Sequence, residues 1–202
     1  MSKNENEEKM IFKIITLGES GVGKTSILRR YIYALYDDNS ISTIGLSFIF
    51  KEIILKNKEK VQLKIIDTGG QEKYRALAKS YFKNADLFVY SIENEDSFNN
   101  INNWITLFNE NNNRVEVSQY LVETKNDLDR VVDEENSKEF DKNNNLKWFS
   151  TSSKNNNSIN EIFENITESI YQNYIKKGKR RQKNLQLKDK KTKRKNCCLL
   201  ED

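Results

Sequence analysis

The eight residues at positions 18–25, GESGVGKT, have a spacing of glycines, lysine and threonine that suits the binding of phosphate groups. Glycines allow the backbone to wrap closely around phosphate oxygens, and the N–H groups of the loop and of a following helix point towards the anion. The Lys24 side chain adds a full positive charge, and the Thr25 hydroxyl is a ligand for a magnesium ion at the outer phosphates. The sequence therefore predicts a nucleotide-binding loop formed by Gly18, Glu19, Ser20, Gly21, Val22, Gly23, Lys24, Thr25 and Ser26.

A loop of this type lies between a strand and a helix, and the flanking segments predict both elements. Residues 11–17 form a nearly continuous apolar run, which is typical of a buried parallel strand. Residues 25–35 carry apolar side chains at helical spacing. Because a chance glycine-rich turn would lack this context, we favour the nucleotide-binding interpretation.

The rest of the chain alternates between strand and helix patterns. Strands are predicted at 46–55, 61–66, 85–92, 119–122 and 146–149, and helices at 72–82, 96–111, 133–140 and 159–174. The charged segment 56–60 is short enough for an antiparallel hairpin, whereas the later alternation predicts parallel strands. We therefore predict an α/β fold with a doubly wound, mostly parallel six-stranded sheet that contains one antiparallel strand.

Composition limits the class of protein. The 202 residues suit one domain, and the absence of histidine excludes imidazole catalysis and histidine metal ligands. The first ten residues lack the apolar stretch of a signal peptide, and no run of about 18 apolar residues suggests a membrane span. The two cysteines are adjacent near the end of the chain, which indicates a reducing compartment.

Polar residues follow three of the predicted strands, at the edge where α/β sheets bind their ligands. Asp67 directly follows the strand at 61–66 and is placed to hold a magnesium ion, and Gly70 can offer a backbone N–H to a terminal phosphate. Asp127 can accept two N–H bonds from a guanine edge, which adenine does not supply. Taken alone, Asp127 is better explained as a turn or helix-start aspartate.

Five motifs in this order resemble the Ras-like small GTPases, most closely the Rab family. They are GESGVGKT at 18–25, STIG at 42–45, DTGGQE at 67–72, TKND at 124–127 and TSSK at 151–154, and the resemblance covers residues 11–175. It implies the fold of P-loop NTPases, specifically of small G proteins, with GTP or GDP and Mg²⁺ as ligands. The implied activity is a GTP/GDP-regulated switch in vesicle and membrane traffic that hydrolyses GTP slowly.

The resemblance also implies residue roles. Gln71 orients the attacking water, and Thr43 binds magnesium and the γ-phosphate, so that Gln71, Lys24 and Thr43 form the catalytic set. The implied magnesium ligands are Thr25, Thr43 and Asp67. The implied contacts to the guanine nucleotide, besides the loop at 18–26, are Tyr36, Thr43, Gly70, Thr124, Lys125, Asp127, Ser152, Ser153 and Lys154.

Two departures from the Rab pattern lie close to the nucleotide. Thr124 stands where Rab proteins usually have asparagine, and we expect it to loosen the link between the base and the phosphate-binding loop. Gly69 replaces the usual alanine and gives the segment more backbone freedom. These departures leave open the alternative of a nucleotide-binding scaffold (pseudo-GTPase) that does not cycle. A P-loop kinase, which would prefer adenine, is a separate alternative.

The end of the chain is strongly basic, since 12 of the 34 lysines and arginines lie between Lys176 and Lys195. We predict that residues 1–10 and 176–202 are disordered and that residues 11–175 form the GTPase domain. Paired cysteines in Rab tails imply prenylation of Cys197 and Cys198, although four residues follow the pair. A nucleic-acid or nuclear-targeting patch and a merely solubilising tail are the alternatives.

The Rab resemblance implies partners and a location. An exchange factor, a GTPase-activating protein and effectors would bind through residues 36–48 and 69–81. A prenylated basic tail would bind the cytoplasmic face of intracellular membranes, with cycling through the cytosol, and we expect a monomer that binds no nucleic acid.

Overall fold

The computed structural model describes residues 10–38, 43–69, 81, 85–111 and 118–197, with the backbone alone at 85–88 and 179–197. Its six strands are β1 (Met10–Leu17), β2 (Leu46–Ile54), β3 (Lys60–Thr68), β4 (Ala85–Ser91), β5 (Ser118–Thr124) and β6 (Lys147–Ser150). Its helices are α1 (Lys24–Tyr33), α2 (Glu95–Asn99), α3 (Ile101–Asn111), α4 (Glu134–Asn144) and α5 (Ile159–Cys197).

The strands form one sheet in the order β2-β3-β1-β4-β5-β6. Strands β2 and β3 pair antiparallel, and every other neighbouring pair is parallel. The predicted fold class is thus confirmed, including the one antiparallel strand. The helix predicted at 72–82 lies outside the described residues except for Tyr81.

The helix predicted at 96–111 is divided in two at Asn100. The side chain of Asn94 accepts a 2.8 Å hydrogen bond from the backbone N–H of Ser97 and so caps α2. The backbone N–H of Asn103 donates to the Asn100 carbonyl at 3.1 Å, a tight turn that separates the two helices. Side-chain periodicity does not reveal this break, because the apolar face continues across it.

The apolar core has two layers, one on each face of the sheet. On one face α1 and α5 pack together, with the rings of Tyr31 and Phe163 stacked at 3.9 Å between centroids. On the other face α3 buries Trp104 and Phe108 against β1, β4 and β5. The apolar side of each of these three helices faces the sheet, as the helical spacing of its apolar residues predicts.

The end of the chain differs from the prediction of disorder after residue 175. Helix α5 continues without interruption from Ile159 to Cys197. The segment contains no proline and only Gly178 among glycines, and its many Lys, Arg, Gln and Leu residues favour helices. A helix that has already formed against a core also extends without a new nucleation cost. None of the helices in the described part of the chain is long and apolar enough to cross a bilayer.

Replacement of Phe163 by Ala tests the α1–α5 layer. The ring is fully buried and stacks on Tyr31, so its removal leaves a cavity as well as lost apolar burial. We expect Phe163→Ala to lower the free energy of unfolding by about 3–5 kcal/mol in urea denaturation. Asn165→Ala, at an exposed position of the same helix, is the control and should change it by less than about 0.5 kcal/mol. Equal effects of the two changes would contradict the packing described here.

Candidate nucleotide-binding site

The loop between β1 and α1 depends on glycines at positions with positive φ. Gly18 has a φ of 147°, and a Cβ there would lie 2.1 Å from the carbonyl oxygen of Val89. Gly23 has a φ of 97° and precedes α1, which has no side-chain cap. The first N–H groups of α1 therefore remain available for an anion, as the sequence motif predicts.

Lys24 is buried at the base of this loop. Its Nζ donates to the carbonyl oxygens of Gly18 and Glu19 at 2.9 and 2.6 Å. Burial lowers the pKa of Lys24 to about 8, and the negative charges of Asp67 and Glu19 oppose that shift. A phosphate group in the loop would raise the pKa of Lys24 again, because a nearby negative charge favours the ammonium.

Three oxygen-bearing side chains meet beside this lysine. The Thr25 hydroxyl lies 2.7 Å from the Asp67 carboxylate and 2.5 Å from the Thr43 hydroxyl. Burial raises the pKa of Asp67, and the hydrogen bond from Thr25 and the charge of Lys24 counteract it. A small hard cation would favour the ionised carboxylate, so this donor set fits Mg²⁺. In the residues that the structure describes, no three His, Cys, Asp or Glu side chains are grouped to hold a metal.

A cavity of about 340 Å³ opens beside the phosphate-binding loop. Its walls come from the loop, the segment after α1 and the loops that follow β5 and β6. Its lining includes predicted contact residues from all four segments: Gly21, Gly23, Ser26, Tyr36, Thr124, Lys125, Asp127, Ser153 and Lys154. The structure thus brings together segments that are more than 120 positions apart in the sequence.

Comparison with known proteins agrees with this geometry. A family model described as the Ras family matches residues 13–172. The chain belongs to the Ras family. It is 35% identical over 171 residues to the GTP-binding protein ypt3 of Schizosaccharomyces pombe, an alignment that covers 83% of this chain and 79% of the relative. It is also 35% identical over 174 residues to the Ras-related protein Rab-11B of Dictyostelium discoideum, with 84% and 78% covered. For the Ras-related protein Rab-13 of Bos taurus the identity is 33% over 178 residues, with 86% and 85% covered.

These relatives are Rab and Ypt proteins, and the chain is accordingly a Rab-like small GTPase of vesicle traffic. The suspected resemblance is therefore confirmed, and nothing in the comparisons favours the pseudo-GTPase alternative.

Thr124 of this Rab-like GTPase joins the base-proximal loop to the phosphate-binding loop. Its hydroxyl lies 2.5 Å from the carbonyl oxygen of Val22 and 2.9 Å from that of Tyr90. The hydroxyl therefore makes this link in the structure, and the expectation that threonine holds it more loosely than asparagine stays a prediction.

Asp127 is supported by the second loop of the cavity. Its Oδ1 accepts a short hydrogen bond from the hydroxyl of Ser152, which is itself fully buried. Ser152 also accepts from the N–H of Asn155 at 3.1 Å. Ser152 therefore acts on Asp127 in this structure and does not line the cavity, unlike its neighbour Ser153.

Sequence reasoning misses Arg30, which holds the loop after β6. Its Nε donates to the carbonyl oxygen of Ser153 at 2.7 Å, and its Nη2 donates to that of Lys154 at 3.1 Å. The guanidinium also lies 5.7 Å from the centroid of the Tyr36 ring. Nothing in the sequence signals this role, because an arginine on the polar side of an amphipathic helix is ordinary.

The remaining predicted residues are placed only in part. The N–H of Gly69 donates to the carbonyl oxygen of Gly45 at 2.8 Å, which joins the segments before and after the two strands of the hairpin. Gly70, Gln71 and Cys198 lie outside the described residues. Cys197 is the last residue of α5.

Replacement of Thr124 by Val tests the hydroxyl link. Valine keeps the shape but leaves the buried carbonyl oxygens of Val22 and Tyr90 without this donor. We expect Thr124→Val to cost about 1–3 kcal/mol of stability and to speed GDP dissociation about tenfold or more. Thr167→Val, which removes another buried hydroxyl far from the cavity, is the control. If both variants release GDP at the wild-type rate, the hydroxyl link does not hold the nucleotide loop.

Proposed function

We propose that this Rab-like GTPase is a monomeric guanine-nucleotide switch that hydrolyses GTP slowly and works at the cytoplasmic face of intracellular membranes. The observation that carries the proposal is one cavity whose wall contains both Asp127 and the phosphate-binding glycines Gly21 and Gly23. A base bound near Asp127 therefore leaves its phosphates next to the loop that carries Lys24.

Selectivity for guanine follows from the chemistry of Asp127. A carboxylate accepts two hydrogen bonds from the adjacent N–H donors of guanine, and adenine would leave it unpaired. Lys125 lines the same cavity and covers a face of the base, and Tyr36 packs from the other segment. The carbonyl groups of Ser153 and Lys154 are turned to Arg30, so the N–H groups of this loop are the ones left for the base.

At the phosphate end, Lys24 binds the outer phosphates with its buried ammonium group. Thr25, Thr43 and Asp67 would hold Mg²⁺, which neutralises charge on the phosphates. We assign to Gly70 an N–H bond to the terminal phosphate and to Gln71 the orientation of the attacking water, on the strength of their motif. Thr43 and Gly70 are released when the γ-phosphate leaves, which is the basis of the switch.

Slow hydrolysis is expected because the chain lacks an arginine at the position where one could stabilise the transition state. The segment from Tyr36 to Gly45 contains no arginine that could stabilise the transition state from within the chain. A partner that supplies an arginine would accelerate hydrolysis by roughly 10³- to 10⁵-fold. The protein therefore depends on a GTPase-activating partner for timely switching.

Nucleotide content and single-turnover hydrolysis test this function together. The purified protein should retain GDP or GTP and no adenine nucleotide, and it should release phosphate from GTP slowly unless lysate is added. Gln71→Leu should slow release roughly tenfold or more, because the attacking water loses its orientation. Gln62→Leu, at a half-buried position of β3, is the matched control.

Two results would contradict the proposal. Several turnovers per second by the purified protein alone would exclude slow intrinsic hydrolysis. No phosphate release with or without lysate would favour the non-cycling scaffold.

The partner-facing surface is proposed to include residues 36–48 and 69–81. Within the described part of it, Phe48 is 42% exposed and packs edge-on against Tyr81 with ring centroids 5.4 Å apart. Exposed aromatic side chains of this kind are enriched at protein interfaces. The exchange factor, the activating protein and the effectors would all bind here, because these two segments contain Thr43 and Gly70, which respond to the γ-phosphate.

The tail is proposed to attach the protein to membranes through prenylated Cys197 and Cys198. One lipid chain anchors only marginally, and a second chain or a basic patch is needed for stable attachment. Residues 176–195 carry 12 basic side chains and a single acid, Asp189, and each basic residue near an anionic surface contributes up to about 1 kcal/mol. The tail would combine two membrane-binding features, the lipid chains on its cysteines and its basic side chains.

Replacement of both cysteines by serine should move the protein from the membrane fraction to the soluble fraction, because the lipid attachment site is lost. Fractionation of cells that express the full chain measures this. A control that replaces Lys193, Arg194 and Lys195 by glutamine and keeps the cysteines should reduce membrane binding only in part. Unchanged partitioning of the serine variant would reject lipid anchoring.

A further inference from the structure

A fully buried carboxylate lies at the end of β5, one residue before the loop that carries Lys125 and Asp127. Glu123 is 0% exposed. Its Oε1 accepts from Arg130 at 2.5 Å and from the Ser150 hydroxyl at 2.7 Å. Its Oε2 accepts from Arg130 at 2.8 Å and from the Tyr90 hydroxyl at 2.8 Å. A buried charge needs such complete pairing, and no part of the nucleotide mechanism above uses it.

The bidentate contact between Glu123 and Arg130 joins the two ends of the loop that follows β5. Glu123 lies one residue before the loop, and Arg130 lies near its far end. Arg130 also donates to the carbonyl oxygen of Val132 at 3.1 Å. The backbone nitrogens of Val131 and Val132 both lie 2.9 Å from the carbonyl oxygen of Ile92, directly after β4. The ends of the loop are therefore fixed to each other and to the sheet.

The contact with Ser150 continues to the residue next to Asp127. The Ser150 hydroxyl accepts from the side-chain amide of Asn126 at 3.0 Å, and the Asn126 backbone N–H donates to the carbonyl oxygen of Thr151 at 3.2 Å. Two residues after Ser150, the Ser152 hydroxyl donates to Asp127. Both loops that form the base end of the cavity are thus joined around the Glu123 carboxylate.

We propose that Glu123 is a positioning residue for guanine selectivity, because its buried pairing with Arg130 and Ser150 fixes the orientation of the Asp127 carboxylate. This inference rests on the proposed role of Asp127 in guanine binding. Two hydrogen bonds from a base require the two carboxylate oxygens to lie in a defined plane. An Asp127 that is free to turn still attracts a nucleotide through the phosphate loop but discriminates poorly between bases.

A purely structural role makes a different prediction. Loss of stability alone would weaken the binding of every nucleotide by the same factor. Loss of Asp127 orientation would weaken GDP more than IDP, because inosine lacks the 2-amino group that supplies one of the two donors. The ratio of the IDP and GDP dissociation constants therefore separates positioning from stability.

The test compares Glu123→Gln with Glu134→Gln in the full chain. The first variant removes the buried charge, and the second removes an exposed carboxylate 4.0 Å from the same Arg130. We expect Glu123→Gln to lower the IDP/GDP ratio about tenfold and to speed GDP dissociation, since one charge-assisted hydrogen bond to the base is lost. Glu134→Gln should leave the ratio within about twofold of the wild type.

Ser150→Ala provides a second variant that keeps the Glu123–Arg130 ion pair and removes the hydroxyl that links Glu123 to Asn126. It should lower the ratio about threefold, and it decides the question if Glu123→Gln does not fold. A fall in thermal midpoint with an unchanged ratio in the folded variants would overturn the inference. If the wild-type protein binds ADP as tightly as GDP, the proposed function is overturned, and the inference with it. If the wild type prefers GDP, the proposed function stands, whatever the variants show.

Discussion

The parallel pairing of β1 with β3 and β4 is the constraint on which the nucleotide site depends. Ile15 pairs with Ile66, so the strands end side by side, with Gly18 directly after β1 and Asp67 near the end of β3 at the same edge of the sheet. On the other side Leu17 pairs with Phe88, which brings the loop so close to β4 that only a glycine fits at position 18. The loop thus takes its shape from the strand register as well as from its own glycines, and a shift of one residue would separate Lys24 from Asp67.

Three buried charges at this edge are compensated in different ways, and the difference separates binding from support. The carboxylate of Glu123 is paired entirely by the protein, and its hydrogen bond raises the pKa of Arg130. In contrast, burial shifts the pKa values of Lys24 and Asp67 towards their neutral forms. A bound phosphate and cation would stabilise those two charges. Lys24 and Asp67 are buried without full pairing by the protein, which indicates a ligand-binding position. The fully paired Glu123 and Arg130 instead support the loops around that position.

The parts of the site that could be predicted from the sequence are those that local rules determine. Glycine spacing and the apolar run before it place the phosphate loop, and strand ends place Asp67 and Asp127. Arg30 and the Glu123–Arg130 pair could not be found in this way, because their partners lie in other elements and their residue types have many ordinary surface uses. Thr124 shows the reverse case: the residue type was recognised, but only the structure shows that its hydroxyl reaches the carbonyl oxygen of Val22 in the phosphate-binding loop.

The helical end of α5 affects the direction in which the tail points more than the distance that it spans. A helix over the 22 residues from 176 to 197 spans roughly 33 Å, whereas a flexible chain of the same length has a root-mean-square span of about 26 Å. Cysteines at the end of either would be at a similar mean distance from the GTPase domain. A helix continuous with the packed part of α5, however, fixes the direction of that distance relative to Phe163 and the sheet. For the proposed membrane attachment, the helix therefore restricts which face of the domain is turned to the bilayer, and a flexible tail would leave every face accessible.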